Sequence, residues 1–171
     1  MKKSVGCVVL TSSREKGFQV ALQRRGVQDS YPGACQVTID GKVKEGDKGK
    51  DGGFYNALLR ESREELGHLF TEICREGAEL IELYREKTSE KEMVTFGALI
   101  PESWLDQIRL ERTSGGIDLV SADIFFNGGV VEISSTHKQD GYPPTVRAMF
   151  PDEIKAVRKA LEVFKDCVAY G

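Results

Sequence analysis

The sequence predicts a mixed α+β domain in which strands outnumber helices. Apolar or alternating runs bounded by polar and glycine-rich turns recur along the chain, and two segments instead carry helical periodicity. At 171 residues the chain suits one domain with its own core, and residues 1–171 read as a single unit without repeats or a linker.

The elements follow in order. Val5 to Leu10 and Phe18 to Gln23 are strand-like runs joined by the polar turn from Ser12 to Gly17. Ala34 to Ile39 is a third run, ending at Asp40-Gly41. From Gly41 to Gly53 the chain holds five glycines, Lys42, Lys44, Lys48, Lys50, Glu45, Asp47 and Asp51, with Val43 the lone apolar residue. Such a stretch has nothing to bury and is expected as an exposed, partly mobile loop whose lysines could meet phosphates. Phe54 to Leu66 reads as a helix stopped by Gly67. Leu80 to Arg85 and Met93 to Ile100 read as strands linked by the polar turn from Lys87 to Glu92. A short helix is expected over Pro101 to Ile108. Asp123 to Phe126 and Val130 to Ile133 flank Asn127-Gly128-Gly129, a hairpin signal. Ile154, Val157, Leu161, Phe164 and Val168 then repeat at helical spacing behind Pro151, giving an amphipathic closing helix.

Composition narrows the function classes. Lys and Arg number 24 against 27 Asp and Glu, for a net charge of −3. A general nucleic-acid binder needs a basic excess, so no stable nucleic-acid complex is expected. Cys7, Cys35, Cys74 and Cys167 are scattered, without the paired spacing of a zinc site, and read as reduced thiols. Met1-Lys2-Lys3 followed by Val5 to Leu10 faintly imitates a signal peptide, but Gly6 breaks the run and no cleavage site follows. No apolar run approaches the ~20 residues of a membrane helix. A cytoplasmic protein without membrane association is expected.

The stretch that carries chemistry is Arg60-Glu61-Ser62-Arg63-Glu64-Glu65-Leu66-Gly67. Glu61, Glu64 and Glu65 stand at i, i+3 and i+4, which a helix gathers on one patch. With Phe54 at zero on a helical wheel, Leu58, Tyr55, Leu66 and Leu59 fall between about 40° and 140°, the expected buried face. The glutamates fall near ~280°, ~340° and ~20°, crowding the edge of that face rather than lying opposite it. Three carboxylates in one patch raise each other's pKa values, and a hard divalent cation such as Mg²⁺ removes that cost. The plainer alternative is a solvated helix face laced by Arg–Glu pairs.

Gly41-Lys42-Val43-Lys44-Glu45-Gly46-Asp47, followed by the octet, resembles the Nudix box: glycine, five residues, an acid, seven residues, then Arg-Glu-hydrophobic-x-Glu-Glu-x-Gly-hydrophobic. The first spacing is kept, with Asp47 in place of the usual Glu. Twelve residues rather than seven separate Asp47 from Arg60, and Ser62 and His68 stand where apolar residues are usual. Loops absorb such insertions cheaply. The resemblance implies an α/β/α sandwich around a mixed sheet. It also implies an Mg²⁺- or Mn²⁺-dependent hydrolase that cleaves a diphosphate in a nucleoside diphosphate linked to another group. By the same resemblance Glu61, Glu64 and Glu65 are metal ligands, joined by a main-chain carbonyl at Asp40 or Gly41. Glu61, or a water between it and the metal, stands closest to base duty, Glu64 shares the catalytic work, Arg60 orients the glutamates, and Asp47 is a weaker, structural member. The partner is a small diphosphate-containing molecule of nucleotide type, and a homodimer is left open.

A base outside the box could be Glu92, Asp118 or Glu132, each of which also reads as an ordinary surface acid. Tyr31, Trp104, Phe125, Phe126 and Tyr142 are aromatics that could stack on a base or simply pack. Tyr142-Pro143-Pro144 stiffens a loop. His68 and His137 lack spaced partners and read as surface or helix-end residues. Two other functions share the resemblance. One is a nucleotide-sensing module without turnover; the other is an isoprenoid diphosphate isomerase, which would need a cysteine acid/base where only Cys35 lies near, on the preceding strand.

Overall fold

The computed structural model describes residues 1–68, 71–72, 79–107, 115–134 and 141–167. Cys74, His137, Ile108 and Val168, each part of an expectation above, lie outside them. Strands β1 (Lys2–Ser13) and β2 (Gly17–Arg24) form the first hairpin, with Gly17 in the left-handed region at φ 66°. β3 (Cys35–Gln36) and β4 (Ile39–Lys42) follow, then α1 (Phe54–Leu66). β5 (Glu79–Lys87) and β6 (Lys91–Pro101) form a second hairpin, and β6 lies parallel to β1 along its whole length. A 3₁₀ turn at Glu102–Gln107 occupies the place of the expected short helix. β7 (Ile117–Ser121), a 3₁₀ turn (Ala122–Phe125), β8 (Val131–Glu132), β9 (Ala148–Met149) and α2 (Pro151–Phe164) complete the chain.

One parallel pairing among antiparallel ones makes the seven-stranded sheet mixed. Both faces are covered, which the side-chain alternation of β1 records directly. Val5, Cys7 and Val9 enter a cluster with Phe54, Ala57, Leu58 and Leu66 of α1. Val8 and Leu10 enter another with Ile154, Val157, Leu161 and Phe164 of α2. Burying Phe54 completely is worth ~2–3 kcal/mol and fixes the start of α1 on the sheet. The result is the expected α/β/α sandwich.

The continuous strand expected over Ala34 to Ile39 is corrected to two short ones. β1 and β2 pair near their turn and then diverge. The segment from residue 35 to 42 enters the gap, β3 bonding to β2 and β4 to β1. Thr38 sits at the fork, wholly buried: its Oγ1 accepts from Val9 N at 3.0 Å and donates to Ala21 O at 2.5 Å. One hydroxyl thereby satisfies an N–H of one arm and a C=O of the other, which no straight strand could do.

The hairpin expected at Asn127-Gly128-Gly129 is also corrected. Ser121 Oγ accepts from Asp123 N and starts a 3₁₀ turn, and the glycines close that turn through Gly129 N to Ile124 O. β8 instead pairs in parallel with β9. Glycines with positive φ end helical turns as readily as they make hairpins, so the same signal served a different stop. β7, which the sequence pattern did not mark, pairs with β2 and leaves Leu119 38% exposed.

Candidate active site

The loop before α1 is exposed as expected but internally tied. Asp47 is buried, with 8% of its surface exposed, and its Oδ2 accepts from Lys44 N at 2.8 Å. Asp51 does the work of a helix cap: its carboxylate accepts from Gly53 N at 3.0 Å and Tyr55 N at 2.7 Å. Gly53 is required at its position. It has φ 92°, and a β-carbon there would lie 1.9 Å from Asp47 O.

Arg60 joins this loop to the glutamates. Its Nε and Nη2 donate to Asp47 at 3.0 and 2.9 Å, its Nη2 also reaches Lys42 O at 2.8 Å, and its Nη1 lies 2.6 Å from Glu61 and 3.5 Å from Glu64. These bonds hold the Asp47 carboxyl below its usual pKa and raise that of the guanidinium. Arg60 is therefore a fixed positive strut, and its reach to Glu61 and Asp47 extends the single Glu64 pairing that helical spacing suggests.

Gly41 on β4 forms a cradle for Glu61. A methyl group on Gly41 would stand 2.2 Å from the Glu61 carboxyl carbon, so the carboxylate lies flat on bare backbone. Glu65 reaches the edge of the same strand, near the Asp40 main-chain N–H, which lowers its pKa slightly. Its Oε2 is buried and has no hydrogen-bond partner among the described residues. Burial first, and then the Glu61, Asp40 and Glu64 carboxylates, push its pKa up to about 8. Asp40 touches solvent, yet the protein walls around it and the Glu61 carboxylate raise its pKa too. The structure thus brings Gly41, Glu61, Glu64, Glu65 and Arg60 into one neighbourhood. Among the described residues no three acidic, imidazole or thiol groups are yet arranged to hold an ion.

The buried face of α1 is wider than the wheel predicts. It takes in Ala57, Glu61 and Ser62 besides the leucines, while Tyr55 is 36% exposed. Glu61 therefore lies within the buried arc and not at its edge. Tyr55 is half-exposed although Phe54 beside it is wholly buried. Ser62 suits its buried place without being apolar: its Oγ donates to Leu59 O at 2.8 Å and shares a 3.1 Å bond with Thr71.

The other candidates scatter. Glu92 is buried against Arg85 at 3.1 Å, Asp118 is held by Arg24 at 2.8 Å and Arg147 at 3.3 Å, and Glu132 is exposed on β8. Trp104 packs on the α1-side core, Phe125 is buried, Phe126 is 67% exposed, and His68 is exposed beyond the helix end. Tyr31 and Tyr142 join a small cluster with Phe150. Cys35 is buried in the opposite core, and that burial pushes its thiol up to about 11.

On the α2 face of the sheet, a groove of about 940 Å³ opens beside Asp40 and Gly41. Gln36, Val37, Phe150 and Glu153 line it, with Arg25, Lys42 and Lys91 among its basic residues. Sequence reasoning missed Glu153, which looked like an ordinary acid in a first helical turn. Its Oε1 accepts from Val37 N at 3.2 Å, and burial pushes its pKa up to about 7.

No family profile and no curated protein matches the sequence. The likeness lies in three dimensions. A MutT/Nudix family protein from Listeria innocua superposes with a TM-score of 0.61 at 14% identity, over 96% of this chain and 94% of that one. The chain has the Nudix fold. A MutT/Nudix protein from Enterococcus faecalis gives the same TM-score at 16% identity, over 96% of this chain, which spans 62% of that protein's length. The Nudix domain of NrtR from Shewanella oneidensis, solved with ADP ribose, gives 0.59 at 14% identity over 95% and 87% of the two chains. In this fold Gly41 lies against Glu61 of the Arg60–Gly67 segment.

Proposed function

We propose that this Nudix-fold chain is a divalent-metal-dependent hydrolase that cleaves the diphosphate of a nucleoside diphosphate linked to another group. The observation that carries this reading is the buried Oε2 of Glu65, which has no hydrogen-bond partner among the described residues and is set among Glu61, Glu64 and Asp40 beside bare backbone at Gly41. A buried carboxylate oxygen without a donor is costly, and a cation offsets that cost. The oxygen-only donor set suits a hard ion such as Mg²⁺ or Mn²⁺.

Glu61, Glu64, Glu65 and the Gly41 carbonyl would hold the metal. When bound it neutralises diphosphate oxygens and supplies an activated water. The chain's own residues set the stage. Asp47 fixes Arg60, and Arg60 fixes Glu61 and Glu64. Glu61, pinned between Arg60 and Gly41, or a water between it and the metal, would accept the proton released by the attacking water. The lysines of the loop lie exposed where an anionic substrate would approach. ADP ribose, the ligand of the NrtR domain, belongs to the substrate class proposed. The isomerase alternative loses its acid/base, because the Cys35 thiol is buried in the α2-side core.

Phosphate or nucleotide release is to be measured in Mg²⁺ on nucleoside triphosphates, dinucleoside polyphosphates, NADH, ADP-ribose and nucleotide sugars. Turnover on at least one, abolished by Glu64→Gln or Glu65→Gln, supports the reading. Full activity in both variants removes it. Tight nucleotide binding without turnover on any compound favours the sensing module instead.

A further inference from the structure

The groove on the α2 face reaches Asp40 and Gly41 at one end, yet most of its wall has no part in the chemistry above. We infer that this groove receives the base of the nucleotide and that Glu153 selects bases presenting an amino group.

Glu153 is built as a fixed acceptor. It stands in the first turn of α2, where the helix dipole favours an anion, and Val37 N–H holds its Oε1 at 3.2 Å. Its Oε2 makes no hydrogen bond among the described residues. The guanidinium of Arg25 is near enough to oppose the raised pKa values of both Glu153 and Asp40, so the wall is not a bare cluster of anions. The Gln36 amide is oriented by donating to Gln23 at 3.1 Å. Phe150 supplies an aromatic surface in the same groove. It is held by Tyr31, whose ring meets it edge-on at 5.0 Å and 86°. Tyr31 adopts φ 53°, a left-handed conformation that side chains other than glycine rarely take, and that cost is borne where Phe150 is braced.

Above about pH 7, where Glu153 is ionised, an aromatic surface in the same groove as this carboxylate is complementary to a heteroaromatic ring with an exocyclic N–H donor. A keto oxygen in the same place would face the carboxylate and lose the bond. Adenine differs from hypoxanthine, and cytosine from uracil, at this exocyclic group and at the ring nitrogen beside it, which is an acceptor in the amino bases and an N–H in the keto ones; Glu153 is assigned to the exocyclic position. A site built to bond it should discriminate by about tenfold or more.

The inference rests on the substrate being a nucleotide, but it can be read without hydrolysis. The whole chain in EDTA is to be titrated calorimetrically with AMP, IMP, CMP and UMP. The expected result is AMP over IMP and CMP over UMP by about tenfold or more. Glu153→Gln keeps the size of the side chain and an acceptor for Val37 N–H but presents an amide N–H, and should collapse or reverse both ratios. Phe150→Leu should weaken all four ligands together and leave the ratios in place. Equal affinities for the members of each pair in the unmodified protein overturn the inference, as does binding of none of them, and neither result depends on a variant folding. Unchanged ratios in a folded Glu153→Gln protein overturn it as well. A preserved amino preference in a protein that hydrolyses nothing would remove the hydrolase reading and keep this one.

Discussion

Removing Glu65 should make the metal-free protein more stable. In the folded chain the Glu65 pKa lies near 8, against an ordinary value of 4.5, chiefly because of burial and then the Glu61, Asp40 and Glu64 carboxylates. The folded state therefore binds more protons than the unfolded one between those values, and stability falls as pH rises through that window. The penalty is absent below about pH 4 and complete above about pH 8. A rise of that size caps it near ~5 kcal/mol, and partial solvent contact reduces it to roughly 2 kcal/mol. Glu65→Gln carries no charge and escapes the penalty. In EDTA, thermal unfolding should show the variant level with the parent near pH 4.5 and higher by about 4–8 °C at pH 8.5. Saturating Mg²⁺ should raise the parent's midpoint at pH 8 and the variant's much less. A variant less stable than the parent at pH 8.5 in EDTA, or a difference that does not grow with pH, would refute this account of the site.

Three further outcomes follow from the geometry. Asp47→Ala strips Arg60 of its main partner and should cost about 3 kcal/mol in urea unfolding at pH 7; because the Asp47 pKa is depressed, that stabilisation is present above its ordinary value of 3.8 and should fade below it, lost as pH falls through the depressed folded value. Gly41→Ala places a methyl group where the Glu61 carboxyl lies, so turnover should fall by about a hundredfold while circular dichroism stays that of the parent. Thr38→Val keeps the shape but orphans Val9 N–H and Ala21 C=O at the fork, and should lower unfolding free energy by about 2–4 kcal/mol without altering the aromatic packing around Phe150.

What the sequence disclosed depended on the range of the forces involved. Helix α1 was legible to the residue, because its periodicity and Gly67 are local signals. The β1–β2 and β5–β6 hairpins were legible for the same reason. The glutamate patch was legible too, since i, i+3 and i+4 spacing needs no tertiary information. The split at Thr38 was not, because it exists only when two arms of a distant hairpin diverge around it. Tyr55 was misplaced because the wheel drew the buried arc from the leucines, whereas the structure's arc extends the other way to Ala57 and Glu61. Glu153 was silent for a related reason: what distinguishes it is Val37, 116 residues away in the chain. The hairpin expected near Asn127 failed because one glycine signal serves two kinds of stop.

The segment from Cys35 to Lys42 also has an evolutionary consequence. Along β4 the pleat turns Ile39 and Gly41 toward α1 and Asp40 toward the groove, whose end Gly41 also borders. Neighbouring positions thus face different parts of the proposed site. Drift at Gln36 or in the first turn of α2 can retune what the molecule accepts while Gly41 and the glutamate helix stay untouched. A lineage carrying this strand could therefore change diet without relearning its chemistry.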